Sequence, residues 1–241
     1  MNPSRRPFLV GLAAACYPSL SKAKDTPKSH SAVIVVDIQG DFTEAHKGSL
    51  AVAGTDAAYL KAVADATAQL KAAGYLIYAT QDWHPADHIS FFSNHKDHKP
   101  FDVIQLRGRD QVLWPAHCIQ KSKGAEILLD ASLFTGIVQK GKDQRYDSYS
   151  GFKDDGGAKT EMEATLRKAG VTDVIVYGVA TDFCVRATAL DAAAAGFNVT
   201  MVESLSRGVA PESIRKAIAD LKAAGVTITD SLPAAALQPK R

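Results

Sequence analysis

The sequence predicts an α/β protein, a three-layer αβα arrangement around a six-stranded, mainly parallel sheet, and three observations carry that reading. Six short runs are apolar and rich in β-branched residues, and most of them alternate with stretches of helical periodicity. Four helical stretches stop at a glycine, Gly74, Gly170, Gly196 or Gly225, just before the next strand-like run. A helix closed by a C-terminal glycine and followed at once by a strand is the repeating unit of a parallel sheet covered by helices on both faces. At 241 residues and 46% apolar content, one such domain accounts for the chain.

In order, residues 32–38 form the first strand, an almost unbroken apolar run of the kind buried on both faces. Residues 55–73 keep apolar side chains at helical spacing, and 75–80 return as a strand. Residues 82–124 break the alternation, with little periodicity but many histidines and aromatics. A loop that long in a folded domain is functional or disordered, and its aromatics argue against disorder. The pattern then resumes with strand 134–139, helix 159–169, strand 171–177, helix 182–195, strand 198–202, helix 211–224 and strand 226–229. Ligands of such sheets sit beyond the carboxyl ends of the strands.

The first thirty residues stand apart. Ser4-Arg5-Arg6-Pro7-Phe8-Leu9 resembles a twin-arginine export signal, followed by an apolar stretch too short to remain as a membrane span in the mature chain. Ser21-Lys22-Ala23 fits a small-residue cleavage site better than Ala13-Ala14-Ala15-Cys16 fits a lipoprotein box. The expected organisation is a signal peptide over 1–23, a linker over 24–30 and one domain over 31–241, in a periplasmic protein; a cytoplasmic protein with an N-terminal extension is the alternative. The leader holds five cations against the single Asp25, so the chain's net charge of +2 hides an acidic body. That body has no basic stripe for nucleic acid. Three cysteines, Cys16 among them in the leader, give no disulfide framework, and Cys118 and Cys184 read as thiols. The sequence leaves a homo-oligomer open.

Three strand ends each deliver one polar group: Asp37, Lys140 and Cys184. Cys184 lies where a strand turns into a helix, a setting that lowers a thiol pKa and supplies backbone donors for an oxyanion. Asp37 can accept the thiol proton, and Lys140 keeps Asp37 ionised and offers a donor. Any one of these residues alone is an ordinary turn, loop or core residue; the combination is what points to hydrolysis. On the long loop, Asp82 and His84 are two apart and face the same way if the chain is extended, and His117 could complete a two-histidine, one-carboxylate set suited to iron, zinc or manganese. His88 is a fourth candidate ligand, with His95 and His98 behind it. Five of seven histidines fall between His84 and His117. The plainer reading of that cluster is a polar lid.

The strings Val36-Asp37-Ile38-Gln39-Gly40-Asp41-Phe42, Gln81-Asp82-Trp83-His84-Pro85, Trp114-Pro115-Ala116-His117-Cys118, Lys140-Gly141, Tyr149-Ser150-Gly151-Phe152 and Gly178-Val179-Ala180-Thr181-Asp182-Phe183-Cys184 together resemble the nicotinamidase (pyrazinamidase) family of isochorismatase-like cysteine hydrolases, which have a Rossmann-like fold. The resemblance runs in order from about residue 31 to about residue 230 and implies Asp37, Lys140 and Cys184 as catalytic triad. It also implies one divalent metal ion on Asp82, His84 and His117, a cis peptide between Val179 and Ala180, and an oxyanion site at the Ala180 and Cys184 N–H groups. Phe42 and Trp114 match residues that flank a pyridine ring. The implied partner is a small amide, nicotinamide or pyrazinamide, hydrolysed through a thioester on Cys184. The alternatives are a metal-free amidase of the same superfamily acting on another small amide, and a non-catalytic binding protein that kept the fold.

Overall fold

The first strand, β1 (Ser31–Val36), is buried at every position, as a strand must be when helices cover both its faces. The computed structural model describes Met1, residues 30–233 and Ala236. Helix α1 (Ala57–Ala72) follows, capped by the Asp56 carboxylate, which accepts the Tyr59 N–H at 2.9 Å. Next come β2 (Leu76–Asp82), a hairpin of β3 (Val103–Leu106) and β4 (Arg109–Val112), and β5 (Gly136–Lys140). The rest alternates: α2 (Met162–Lys168), β6 (Asp173–Gly178), α3 (Arg186–Ala194), β7 (Asn198–Val202), α4 (Pro211–Ala223) and β8 (Thr227–Thr229).

The six-stranded sheet has the order β5-β2-β1-β6-β7-β8, and every neighbouring pair is parallel. Alternate residues of β1 feed two cores. Val33 and Val35 pack with Ile77, Ile175 and Tyr177 against Tyr59, Val63 and Leu70 of α1. Ala32, Ile34 and Val36 pack with Val174 and Val176 against Met162, Leu166, Ala189 and Leu221 of α2, α3 and α4. The predicted three layers are therefore present, with α1 alone among these helices on one face.

The differences from the sequence reading lie where side-chain pattern is weakest. β2 runs two residues past the expected end, because Gln81 and Asp82 pair with Gln139 and Lys140 of β5 despite being polar. The long irregular stretch contains the antiparallel β3–β4 pair, in which a single residue, Gln111, is buried, so the pair carries little apolar signal. The helix expected over 182–195 opens with a π turn, Thr181–Val185, in which the Val185 N–H reaches back to the Ala180 carbonyl at 3.0 Å. His30, expected in the linker, belongs to the fold: its carbonyl accepts the Thr172 and Asp173 N–H groups at 2.8 and 3.1 Å. The expected export signal and the remainder of the linker lie outside the described residues, apart from Met1. No helix among the described residues is long and apolar enough to cross a membrane.

Candidate active site

The parallel register places the chemistry. Asp82 and Lys140 are direct partners across β2 and β5, and Val36 partners Gly178 across β1 and β6, so Asp37, Asp82, Lys140 and the turn to Cys184 crowd one edge of the sheet. Lys140 is their hub. Its fully buried ammonium lies 2.9 Å from Asp37 Oδ2, 2.5 Å from Asp82 Oδ1, 2.9 Å from the Ser148 carbonyl and 3.5 Å from Cys184 Sγ. Asp37 has a φ of 50°, outside the strand conformation, and Thr80 holds it there: the Thr80 hydroxyl accepts the Asp37 N–H at 3.2 Å and donates to Asp37 Oδ1 at 2.6 Å. Oδ2 is thereby left facing Lys140, with no hydrogen-bond donor of good geometry.

On the other side of Asp82, three ligand atoms from Asp82, His84 and His117 lie within 4.8 Å of one another. Asp82 Oδ2 is 3.4 Å from His84 Nε2 and 3.9 Å from His117 Nε2. Both imidazoles are oriented from behind, His84 Nδ1 donating to the Gly141 carbonyl at 2.9 Å and His117 Nδ1 to the Pro115 carbonyl at 2.8 Å. These bonds put the proton on Nδ1 and leave each Nε2 lone pair turned toward Asp82, the arrangement metal-binding histidines require. Gly141 has a φ of 67°, and a β-carbon there would run into the His84 ring. Asp82 is fixed by Gln39, whose amide accepts the Asp82 N–H at 2.8 Å and donates to the Asp82 carbonyl at 2.9 Å. The residues present thus fit a divalent cation.

His88 is placed differently. Its ring stacks on His84 with centroids 4.2 Å apart, but Nδ1 meets Ser90 Oγ at 2.8 Å and Nε2 the Tyr146 carbonyl at 3.0 Å, so neither nitrogen is turned to the shared point. His95 bonds the Ile89 carbonyl and His98 pairs with Asp102, away from the cluster.

Above both clusters lies a cavity of about 230 Å³ reached by Asp82, His117, Ala180 and Cys184 and walled by Phe42, Trp114, Tyr149 and Phe183. Phe42 lies 5.3 Å from the His117 ring, and Trp114 meets Phe183 edge-on at 5.1 Å. The Val179–Ala180 peptide is cis. The isochorismatase domain pattern matches residues 31–232. The chain belongs to the isochorismatase family. It is 40% identical to the nicotinamidase of Acinetobacter baylyi over 82% of this chain and 91% of that protein. Among solved structures it resembles the yeast nicotinamidase bound to the inhibitor nicotinaldehyde, with a TM-score of 0.77 and 32% identity over 83% of this chain and all of that one (100%). It also resembles the pyrazinamidase of Pyrococcus horikoshii in complex with zinc, with a TM-score of 0.70 and 36% identity over 83% of this chain and 98% of that one.

The electrostatics of this isochorismatase-family site correct one expectation. Instead of a depressed thiol pKa, burial pushes the Cys184 thiol well up, and the nearby Lys140 charge does not offset it. The π turn buries Cys184 at the cavity floor, so at rest the sulfur keeps its proton and needs a base. Burial raises Asp37 as well, against the pull of Lys140, whereas at Asp82 the opposing effect of burial is outweighed by Lys140 and His84, which hold that carboxyl far below its ordinary range. Burial pushes His117 down to about 4, with the His84 charge adding to it. At His84 burial acts downward but the Asp82 carboxylate outweighs it and raises the imidazole.

Thr80, Gln39 and Ser148 support these groups and went unpicked in the sequence. Thr80 and Gln39 are polar residues in or beside apolar strands, buried without exposure (0%), and that misfit was the available signal. Tyr149 and Phe183 stood inside the matched strings without an assigned role; Tyr149 accepts the Trp114 indole N–H at 3.1 Å.

Proposed function

We propose that the protein is a nicotinamidase that hydrolyses nicotinamide to nicotinate and ammonia, and pyrazinamide likewise, with Asp37, Lys140 and Cys184 as catalytic residues. The observation that carries this is the single Lys140 ammonium joining a carboxylate–thiol pair to a carboxylate–imidazole cluster beneath one aromatic-walled cavity. A divalent ion held by Asp82, His84 and His117 would supply a Lewis-acidic open position for a neutral ring nitrogen, and the zinc of the similar pyrazinamidase favours zinc over iron or manganese.

The chain's own residues do the rest. Phe42 and Trp114 hold the flat ring and exclude water. Asp37 Oδ2 takes the Cys184 proton as sulfur forms its bond to the carbonyl carbon; the raised Asp37 pKa makes it a competent base for a thiol that burial keeps neutral. The carbonyl oxygen, now negative, is met by the Ala180 and Cys184 N–H groups. Asp37 returns the proton to nitrogen, ammonia leaves with the C–N bond's electrons, and a thioester remains on Cys184. The same carboxylate then deprotonates a water that opens the thioester, giving nicotinate and the restored thiol. Lys140 stays charged throughout, its pKa held well above the ordinary value by Asp37 and Asp82 against the opposing effect of burial.

A metal-free amidase of the same family is the competing reading, and the two Nδ1 bonds that aim imidazole lone pairs at Asp82 speak against it. The test is metal analysis of the purified protein with an ammonia assay. Stoichiometric zinc and equal yields of ammonia and nicotinate are expected. Metal-replete protein that releases no ammonia from either amide would overturn the proposal.

A further inference from the structure

His117 stands outside every strand and helix, and its Nδ1 bonds the carbonyl of Pro115 in its own segment, so the ring goes where the local backbone goes. The next residue, Cys118, is fully buried with a φ of 46°, a left-handed conformation that a residue other than glycine keeps only when its surroundings impose it. Both of its backbone polar groups are engaged. The N–H donates to Asp41 Oδ2 at 2.7 Å, and the carbonyl accepts the His84 N–H at 3.0 Å. The Cys118 backbone therefore links His117 to His84, and Asp41 holds that link from outside.

The turn that carries Asp41 serves the rest of the centre too. Gln39 grips the Asp82 backbone, and Phe42 lies against the His117 ring. Space is reserved for the Asp41 carboxylate: a β-carbon on Gly124 would run into it. Ser49 gives the same segment a second hold, its hydroxyl donating to the Ala116 carbonyl at 2.8 Å. That bond is neutral and made by an exposed residue, whereas the Asp41 bond is charge-assisted and reaches a buried one, so the larger share of the hold falls to Asp41.

Resting on the reading of Asp82, His84 and His117 as metal ligands, we propose that Asp41 is a positioning residue for the metal centre: through the Cys118 backbone its carboxylate sets the placement of His117 relative to His84 that a divalent ion requires. An aspartate that merely closed a turn would leave metal binding alone.

The experiment measures zinc affinity on the full chain by competition with a chromophoric chelator, and the visible bands of cobalt(II) in the same site, which report coordination geometry. Asp41→Ala should weaken zinc binding roughly tenfold and shift the cobalt bands. Asp41→Asn keeps an oxygen that can accept the Cys118 N–H and should stay within about threefold of the parent. Gly124→Ala pushes the carboxylate off that N–H while leaving Asp41 in the chain; it should weaken zinc binding in the same sense, and it decides the matter if Asp41→Ala does not fold. Asp56→Ala removes the α1 cap far along the chain, so it should lower Tm yet leave zinc affinity and cobalt bands as in the parent. Unchanged affinity and bands in Asp41→Ala and Gly124→Ala would overturn the inference. So would an equal loss in Asp56→Ala, because general destabilisation would then explain the effect. A parent that takes up neither metal would overturn the metal-site reading and this inference with it. Ammonia release plays no part in these readouts, so failure of the nicotinamidase reading would be seen separately.

Discussion

Two carboxylates share the Lys140 ammonium, yet they are driven apart: burial leaves Asp37 raised, whereas Lys140 and His84 hold Asp82 far down. A pair of acids separated in this way can divide the labour, one moving a proton and the other remaining an anion for a cation to bind. The residue-scale prediction follows from which atoms touch the reaction. Cys184→Ala should abolish turnover, and Asp37→Asn, which keeps shape but loses both base and acid, should lower kcat by about a thousandfold. Cys118→Ala should stay within about threefold of the parent, because Cys118 is fully buried packing whose backbone N–H is held by Asp41 Oδ2 at 2.7 Å. Steady-state ammonia release checks all three, and an Asp37→Asn enzyme within tenfold of the parent would show that another group takes the thiol proton.

At the scale of elements, strand register does what spacing could not announce. Asp37, Lys140 and Cys184 were legible because each follows an apolar run that had to be a strand, and Asp82, His84 and His117 because histidines cluster where periodicity stops. That Asp82 would finish β2 and stand directly beside Lys140 was not legible, since inter-strand register is fixed by contacts between segments more than fifty residues apart. His88 is a candidate ligand by its place in the histidine cluster, but its nitrogens go to Ser90 and Tyr146. The shared Lys140 means that the two clusters are not independent, so stripping the metal should be felt at the thiol too. Chelation, or His84→Ala or His117→Ala, should cost nicotinamide roughly tenfold to a hundredfold in kcat/KM. Benzamide, which lacks the ring nitrogen, should lose only a few-fold. His95→Ala and His98→Ala should be close to neutral, and His88→Ala intermediate through its stacking on His84. Equal loss for the two amides would remove the ring-anchoring role and make the metal's effect structural or directly chemical.

The whole molecule stores these buried groups as a dependence of stability on pH. His88 and His117 are each pushed down to about 4, burial first and the His84 charge second. Between their ordinary value of 6.5 and about 4 the unfolded chain binds more protons at these positions than the folded chain does, so stability falls as pH is lowered through that window. His84 opposes this. Its folded pKa is raised by Asp82, so its contribution is fully present below 6.5 and is lost as pH rises through the folded value. Asp37, also raised, acts in the same sense as His84 from its ordinary 3.8 upward. With two lowered histidines against these, metal-free protein should lose roughly 1–3 kcal/mol of unfolding free energy between pH 7 and pH 5. Urea unfolding at constant m-value measures it. Replacing His88 with glutamine should remove a substantial part of the slope. Zinc should stabilise the protein at pH 7 and steepen the acid loss, because a bound cation requires unprotonated His84 and His117. A free energy that stays flat or rises on acidification from pH 7 to pH 5 would mean that the raised Asp82–His84 pair and Asp37 outweigh the lowering of His88 and His117, and the sign of the predicted slope would be wrong.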